Sequence, residues 1–203
     1  MFLFTACNYR NEIDPNYYCQ KLKFSCIQNN KIVLFKTSKG DFEVKLFATD
    51  NPVTVSNFLK NIDNNIYLNQ KFYKVIKYPQ LKFIQGGVNM KNRIHTLNNQ
   101  ILKKTIPSIP LEIKFKDEIN PRYEYQIKNP HETKNLINAF ESGSIAMVKN
   151  GKKNSSSTEF FFVTNKIPEL DGRYTVFGQI IRGLDVLEKI NKGDQIMDIR
   201  ISS

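Results

Sequence analysis

Apolar and polar residues alternate along this chain in a way that predicts short strands more than helices. Ile32 to Thr37 and Phe42 to Phe47 alternate around Ser38-Lys39-Gly40-Asp41, which is a hairpin signature. Lys71 to Lys77 reads as a further strand. Another ends at Phe83-Ile84-Gln85-Gly86-Gly87, where the glycine pair marks backbone that turns or comes close to something. Ile109 to Phe115 is a candidate short strand. Gly143 to Ile181 reads as strand, polar loop, strand, turn and strand. Its parts are Ile145 to Val148, a basic Ser-rich loop from Lys149 to Ser157, the aromatic run Phe160 to Val163, the turn Asp171-Gly172, and Thr175 to Ile181. Ile196 to Ile201 follows the Gly193-Asp194 turn as a last strand.

Helical spacing is clear in two places. Asn51 can cap and Pro52 suits a first helical position, and Val55, Phe58, Leu59 and Ile62 then share one face. Leu184, Val186, Leu187 and Ile190 repeat the pattern after Gly183. Glu132 to Phe140 is a third, short helical candidate. Met90 to Ser108 is polar loop. Residues 116–142 are charged, hold the turns Asn120-Pro121 and Asn129-Pro130, and read as a surface insertion. Residues 1–30 read as an N-terminal extension or tether, and residues 31–203 as the folded domain. No internal repeat is found. The pattern is mainly β: about eight short strands with two or three helices, which fits a closed eight-stranded antiparallel β-barrel capped by two α-helices, since closure removes sheet edges.

Composition narrows the classes. With 203 residues, 40% of them hydrophobic, and with 15 Phe and 9 Tyr, the chain can bury a substantial single core. It has no apolar run of about 18 residues that would span a membrane as a helix. The net charge of +11 invites a nucleic-acid reading. Against it, the lysines are scattered, acidic residues are interleaved, and no zinc-finger spacing or long basic helix occurs, so specific nucleic-acid binding is not expected. His95 and His131 stand alone in polar surroundings, which argues against a histidine-based catalyst or metal site.

The cysteines leave alternatives open. Phe4-Thr5-Ala6-Cys7 resembles the end of a bacterial lipoprotein signal, in which Cys7 would be lipidated; the other reading is an ordinary N-terminus with an idle thiol. With Cys7 lipidated, Cys19 and Cys26 remain as an even pair in an oxidising compartment, open to a disulfide. Membrane attachment is then peripheral and the location a bacterial cell envelope; otherwise the protein is cytoplasmic.

Several motifs together resemble the cyclophilins, a family of peptidyl-prolyl cis-trans isomerases. They are Gly40-Asp41, Pro52-Val53-Thr54-Val55-Ser56-Asn57-Phe58, Phe72-Tyr73-Lys74-Val75-Ile76, Ile84-Gln85-Gly86-Gly87, Phe160-Phe161, and Leu170-Asp171-Gly172-Arg173-Tyr174-Thr175-Val176-Phe177-Gly178. Order and spacing match from Lys31 to Ser203, about five-sixths of the chain. The resemblance implies the barrel described above, proline-containing polypeptides as partners, assistance to folding, no cofactor and a monomer.

The reaction sets a clear physical demand. Rotation about a peptide bond meets a barrier of about 18–20 kcal/mol from amide resonance. Catalysis needs an apolar pocket for the prolyl ring and a preorganised donor for the twisted amide. By resemblance, the family's catalytic arginine falls on Lys74, which keeps the charge but lacks the planar fork of donors. Its cleft glutamine is Gln85, and Tyr174 stands at the position of its pocket histidine. Phe72, Phe83, Phe161 and Leu170 fall at substrate-pocket positions, with a further pocket residue near Leu81 or Lys82. Val148 and Lys149 take the place of a backbone-binding Ala-Asn pair. Glu159 replaces a second glutamine and adds a negative charge expected close to Lys74. Glu169 stands where the family has the tryptophan associated with cyclosporin, which implies poor affinity for that ligand. Two functions follow: a prolyl isomerase, or a binding module that uses the same pocket without useful turnover. A purely structural barrel is a third.

Overall fold

Lys31–Thr37 (β1) and Gly40–Leu46 (β2) pair through the two-residue turn Ser38-Lys39, with Thr37 opposite Gly40. Gly40 takes a φ of +123°, a conformation open to glycine at little cost. The hairpin is where alternation placed it, and the alternation also sets its faces: Val33, Phe35, Phe42 and Val44 are fully or almost fully buried. The computed structural model describes residues 13–79, 81–88, 108–151 and 153–202. Cys7, His95 and almost all of the expected loop from Met90 to Ser108 lie outside them.

Before this hairpin, Pro15–Lys21 forms a helix (α1), started by Asp14, whose carboxylate accepts from the backbone N–H of Asn16. After the hairpin come Pro52–Asp63 (α2), Gln70–Lys71 (β3), Lys74–Tyr78 (β4) and Leu81–Gly87 (β5). Ile109–Pro110 (β6), Glu112–Ile113 (β7) and Arg122–Tyr123 (β8) follow, then a 3-10 turn at Pro130–Asn135. Ser144–Lys149 (β9), Asn154–Val163 (β10), a 3-10 turn at Pro168–Leu170, Val176–Arg182 (β11), Leu184–Lys189 (α3) and Gln195–Ile201 (β12) complete the order.

The main sheet is a curled antiparallel sheet with the order β3-β12-β1-β2-β11-β9-β10-β5-β4; β6 adds to β10, and β7 pairs β8 separately. Its two ends, β3 and β4, are consecutive pieces of chain separated by Phe72 and Tyr73. One face packs into a large core with α2, in which Phe58 touches Phe160 at 5.7 Å and Phe177 at 5.2 Å between ring centroids. Phe35 stacks on Phe42 at 4.8 Å and meets Phe162 edge-on at 5.5 Å, a geometry aromatic rings favour.

Several local expectations differ from the structure: the single strands expected over Ile109 to Phe115 and Lys71 to Lys77 are each split in two, and distant partners account for most of the other differences. The N-terminal segment expected as a tether is folded from Pro15: Tyr18 and Cys19 pack on Val53 of α2, a disulfide joins Cys19 to Cys26, and the Ile27 N–H donates to the Ser56 hydroxyl at 2.7 Å. The Ser-rich loop shortens because β10 begins at Asn154. Ser155 to Thr158 are buried, and the carbonyl of Ser157 accepts from the side-chain amides of Asn57 (2.7 Å) and Asn61 (2.6 Å) on α2. The helix expected over Glu132 to Phe140 is a 3-10 turn that ends at Asn135. Asn51 stands at the N-cap of α2 but makes no side-chain cap bond.

Glu112 of β7, from the segment preceding the insertion, does the capping instead. Its carboxylate accepts from the N–H groups of Val53 (3.2 Å) and Thr54 (2.9 Å), satisfying donors that a helix start leaves unpaired. Asn51 donates to the Glu112 carbonyl at 3.3 Å, and the Glu112 N–H donates to the Thr175 hydroxyl at 2.9 Å. Glu112 has no solvent exposure, and burial pushes its carboxyl up to about 7.

Candidate active site

The second face of the same strands builds a cleft. Side chains alternate across a strand, so Ile84 on β5 enters the main core while Phe83 and Gln85 face outward. On β9, Ile145 and Met147 go inward, whereas Ala146 and Val148 join an outer apolar cluster; on β10, Phe160 and Phe162 go inward and Phe161 outward. Phe140, Val163, Ile167 and Val176 belong to the same outer cluster, and Leu170 and Tyr174 pack against it. Phe161 is its centre: it stacks on Phe140 at 5.8 Å, meets Tyr174 edge-on at 5.3 Å and lies 6.1 Å from Phe83.

Two glycines let the walls come together. Gly172, with φ +69°, turns the chain into Arg173 and Tyr174, and a Cβ there would collide with Ile127 at 2.3 Å. Gly87, with φ +90°, lies so close to β10 that a Cβ would stand 2.1 Å from the Thr158 carbonyl oxygen. The Asp171 carboxylate accepts from the Phe140 N–H at 2.8 Å and ties this turn to the cluster.

The resulting cleft has a volume of about 390 Å³. Apolar walls come from Phe83, Phe161, Leu170 and Val148, and polar groups from Gln85, Tyr174, Lys74 and Lys149. The structure therefore brings together eight of the ten residues that the resemblance placed at the site. Phe72 is not among them: it has no exposure and packs in the main core beneath Gly86, whose Cβ position is 3.0 Å from its ring. Glu159 also stands outside the lining. It accepts from the Tyr73 hydroxyl at 2.5 Å and, more weakly, from Ser156 at 3.4 Å. Among the described residues no ion pair joins Glu159 to Lys74, and Lys74 is exposed at the cleft edge. Leu81 packs against the outer cluster, whereas Lys82 turns away and donates to the Glu188 carbonyl at 2.6 Å, at the end of α3.

Sequence reasoning missed Ile76 and Tyr78, which line the cleft. It also missed Tyr73, whose hydroxyl accepts from the Gln85 side-chain amide at 2.6 Å while donating to Glu159. Burial first, then the Glu159 carboxylate, push the Tyr73 hydroxyl well above its ordinary value, so it stays protonated and holds Gln85 in place. Gln126, from the insertion, accepts from the Lys149 ammonium at 2.9 Å, which lies 5.8 Å from the Tyr174 ring. Burial first and the nearby Arg173 second pull the Lys149 ammonium below its ordinary value. No local pattern announces these partners.

The arrangement is an apolar pocket with one amide and two cations at its edge, suited to gripping a small ring and stabilising a polarised amide beside it. A family model described as cyclophilin type peptidyl-prolyl cis-trans isomerase/CLD matches residues 32–203. This chain belongs to that family, and the reaction that goes with the family is cis-trans isomerisation of peptidyl-prolyl bonds. A peptidyl-prolyl cis-trans isomerase of Helicobacter pylori is 32% identical over 171 residues, covering 83% of this chain and 85% of that protein. Peptidyl-prolyl cis-trans isomerase 9 of Schizosaccharomyces pombe is 29% identical over 164 residues, which are 81% of this chain but 22% of that much longer protein. The solved cyclophilin-type isomerase of Cryptosporidium parvum shares the fold, with a TM-score of 0.58 at 24% identity, covering 86% of this chain and 99% of that one. The same parasite protein has also been solved in the presence of the dipeptide Ala-Pro.

Proposed function

We propose that this cleft binds the prolyl ring of X-Pro segments in protein clients and isomerises the bond before it. Phe83, Phe161, Leu170 and Tyr174 form the ring pocket, and Lys74 is the electrostatic donor. Gln85 orients the peptide, and Val148 and Lys149 contact its backbone. A charge near the amide acts best when it needs no rearrangement at the moment of reaction. The observation that carries the reading is the separation of Lys74 from Glu159: the carboxylate is occupied by Tyr73 and leaves the cation to the cleft. The same reading takes the chain from Gln70 to Tyr78 as one stave that pairs β12 at its start and β5 at its end, which would make the curled sheet a closed eight-stranded barrel.

A protease-coupled assay on a short X-Pro peptide tests the function. Turnover above the uncatalysed rate is expected; a folded protein without it would leave a binding module. One observation favours that second reading. One N–H of the Gln85 amide is already given to Tyr73, so the peptide meets one donor fewer than the lining residues suggest.

A further inference from the structure

Charge in the cleft is one-sided. Two of its described lining residues, Lys74 and Lys149, are cations, and none is a carboxylate. Lys149 is half-buried against the Tyr174 ring, and its ammonium donates to Gln126, which is neutral. Arg173, exposed on the turn that delivers Tyr174, is near enough for its charge to oppose that of Lys149. The acids of the neighbourhood do not offset this. Glu159 is held by Tyr73 and Ser156, and Glu169 is exposed on the 3-10 turn and does not line the cleft.

Resting on the reading of this cleft as a prolyl-peptide site, we infer that it selects proline segments that carry an acidic residue within two positions of the proline. A partly desolvated cation that faces another cation gains most from an incoming carboxylate, which restores the solvation lost on burial and screens the like charge. The pull that burial and Arg173 exert on the Lys149 proton would be relieved by such a ligand. Lysine at the same peptide position adds a third or fourth cation and is rejected by the same field.

The test uses matched peptides that differ only in Glu, Gln or Lys, placed immediately before the proline in one set and one position earlier in another. Affinity is read by NMR titration of the full chain, and turnover by exchange between the cis and trans peaks of the peptide. In at least one set the Glu peptide is expected to bind about tenfold tighter than the Lys peptide at low ionic strength, with the ratio shrinking in about 0.5 M salt. Lys149→Gln and Arg173→Gln should each reduce that ratio by about threefold or more, while Arg200→Gln, on a strand that adds nothing to the cleft, should leave it unchanged. Glu preference without exchange supports the inference and overturns only the isomerase reading. Exchange with equal affinity for Glu and Lys peptides in both sets overturns the inference and leaves the isomerase reading intact. Failure of every peptide to bind overturns both.

Discussion

On β10, Phe160 and Phe162 enter the main core and Phe161, between them, faces the cleft. The three are chemically identical and all buried, yet their surroundings differ. The inward pair is packed from every side, Phe160 against Phe35, Phe58 and Tyr67, with no exposure. Phe161 rests on Phe140 and Tyr174 on one side and opens on a cavity of about 390 Å³ on the other. One residue of strand register thus separates a side chain that holds the sheet together from one poised to hold a ligand.

Substitutions break that comparison most directly. Phe160→Ala is expected to destabilise the fold by about 3–5 kcal/mol, read by denaturant unfolding, because a cavity opens where nothing collapses into it. Phe161→Ala should cost clearly less stability, since its site already borders open space, but should lower kcat/KM on an X-Pro peptide by about tenfold or more through loss of ring contacts. Equal stability losses with unchanged turnover would abolish the distinction.

Glu112 links the two faces, capping α2 above the main core and bonding through its backbone to Thr175, the neighbour of Tyr174. Its carboxyl titrates near 7 when folded, above its ordinary 4.5. The folded state therefore holds the extra proton between these values. Stability from this group is fully present below about 4.5 and falls as pH rises to about 7, by roughly 3 kcal/mol at most. Denaturation midpoints of Glu112→Gln should lose that slope across this window; an unaltered slope would mean that the carboxyl is not the titrating group.

Two smaller effects sharpen the picture. Cys26→Ser should weaken the α1 latch by about 2 kcal/mol, the loss of loop closure for a short disulfide loop, read as faster hydrogen exchange in residues 15–22. Lys74→Arg should raise kcat/KM a few-fold, because the guanidinium presents a rigid fork of donors where the ammonium offers a single mobile charge. A fall in activity would assign Lys74 a different part.

Much of the fold follows from period alone. Alternation in Ile32 to Thr37 and Phe42 to Phe47 set strand and face together, the apolar run Phe160 to Val163 marked a strand without marking its faces, and helical spacing after Asn51 and Gly183 located α2 and α3. Motif order then placed eight of the ten expected site residues in one cleft. Phe72 fell to the core because the chain between β3 and β4 turns it beneath Gly86, a relation that no local spacing carries. Glu159 fell to Tyr73 because their meeting depends on β10 lying against β5.

What the sequence determined by itself was therefore local and periodic: which residues can extend or coil, which side of an alternating strand is apolar, and which motifs stand in which order. Tertiary structure alone decided the partners across long separations. Glu112 caps a helix 59 residues away, Gln126 steadies Lys149, and Tyr73 draws Glu159 from the cleft. Those choices rest on burial and geometry, since a buried polar group takes whichever partner the packed backbone brings within reach.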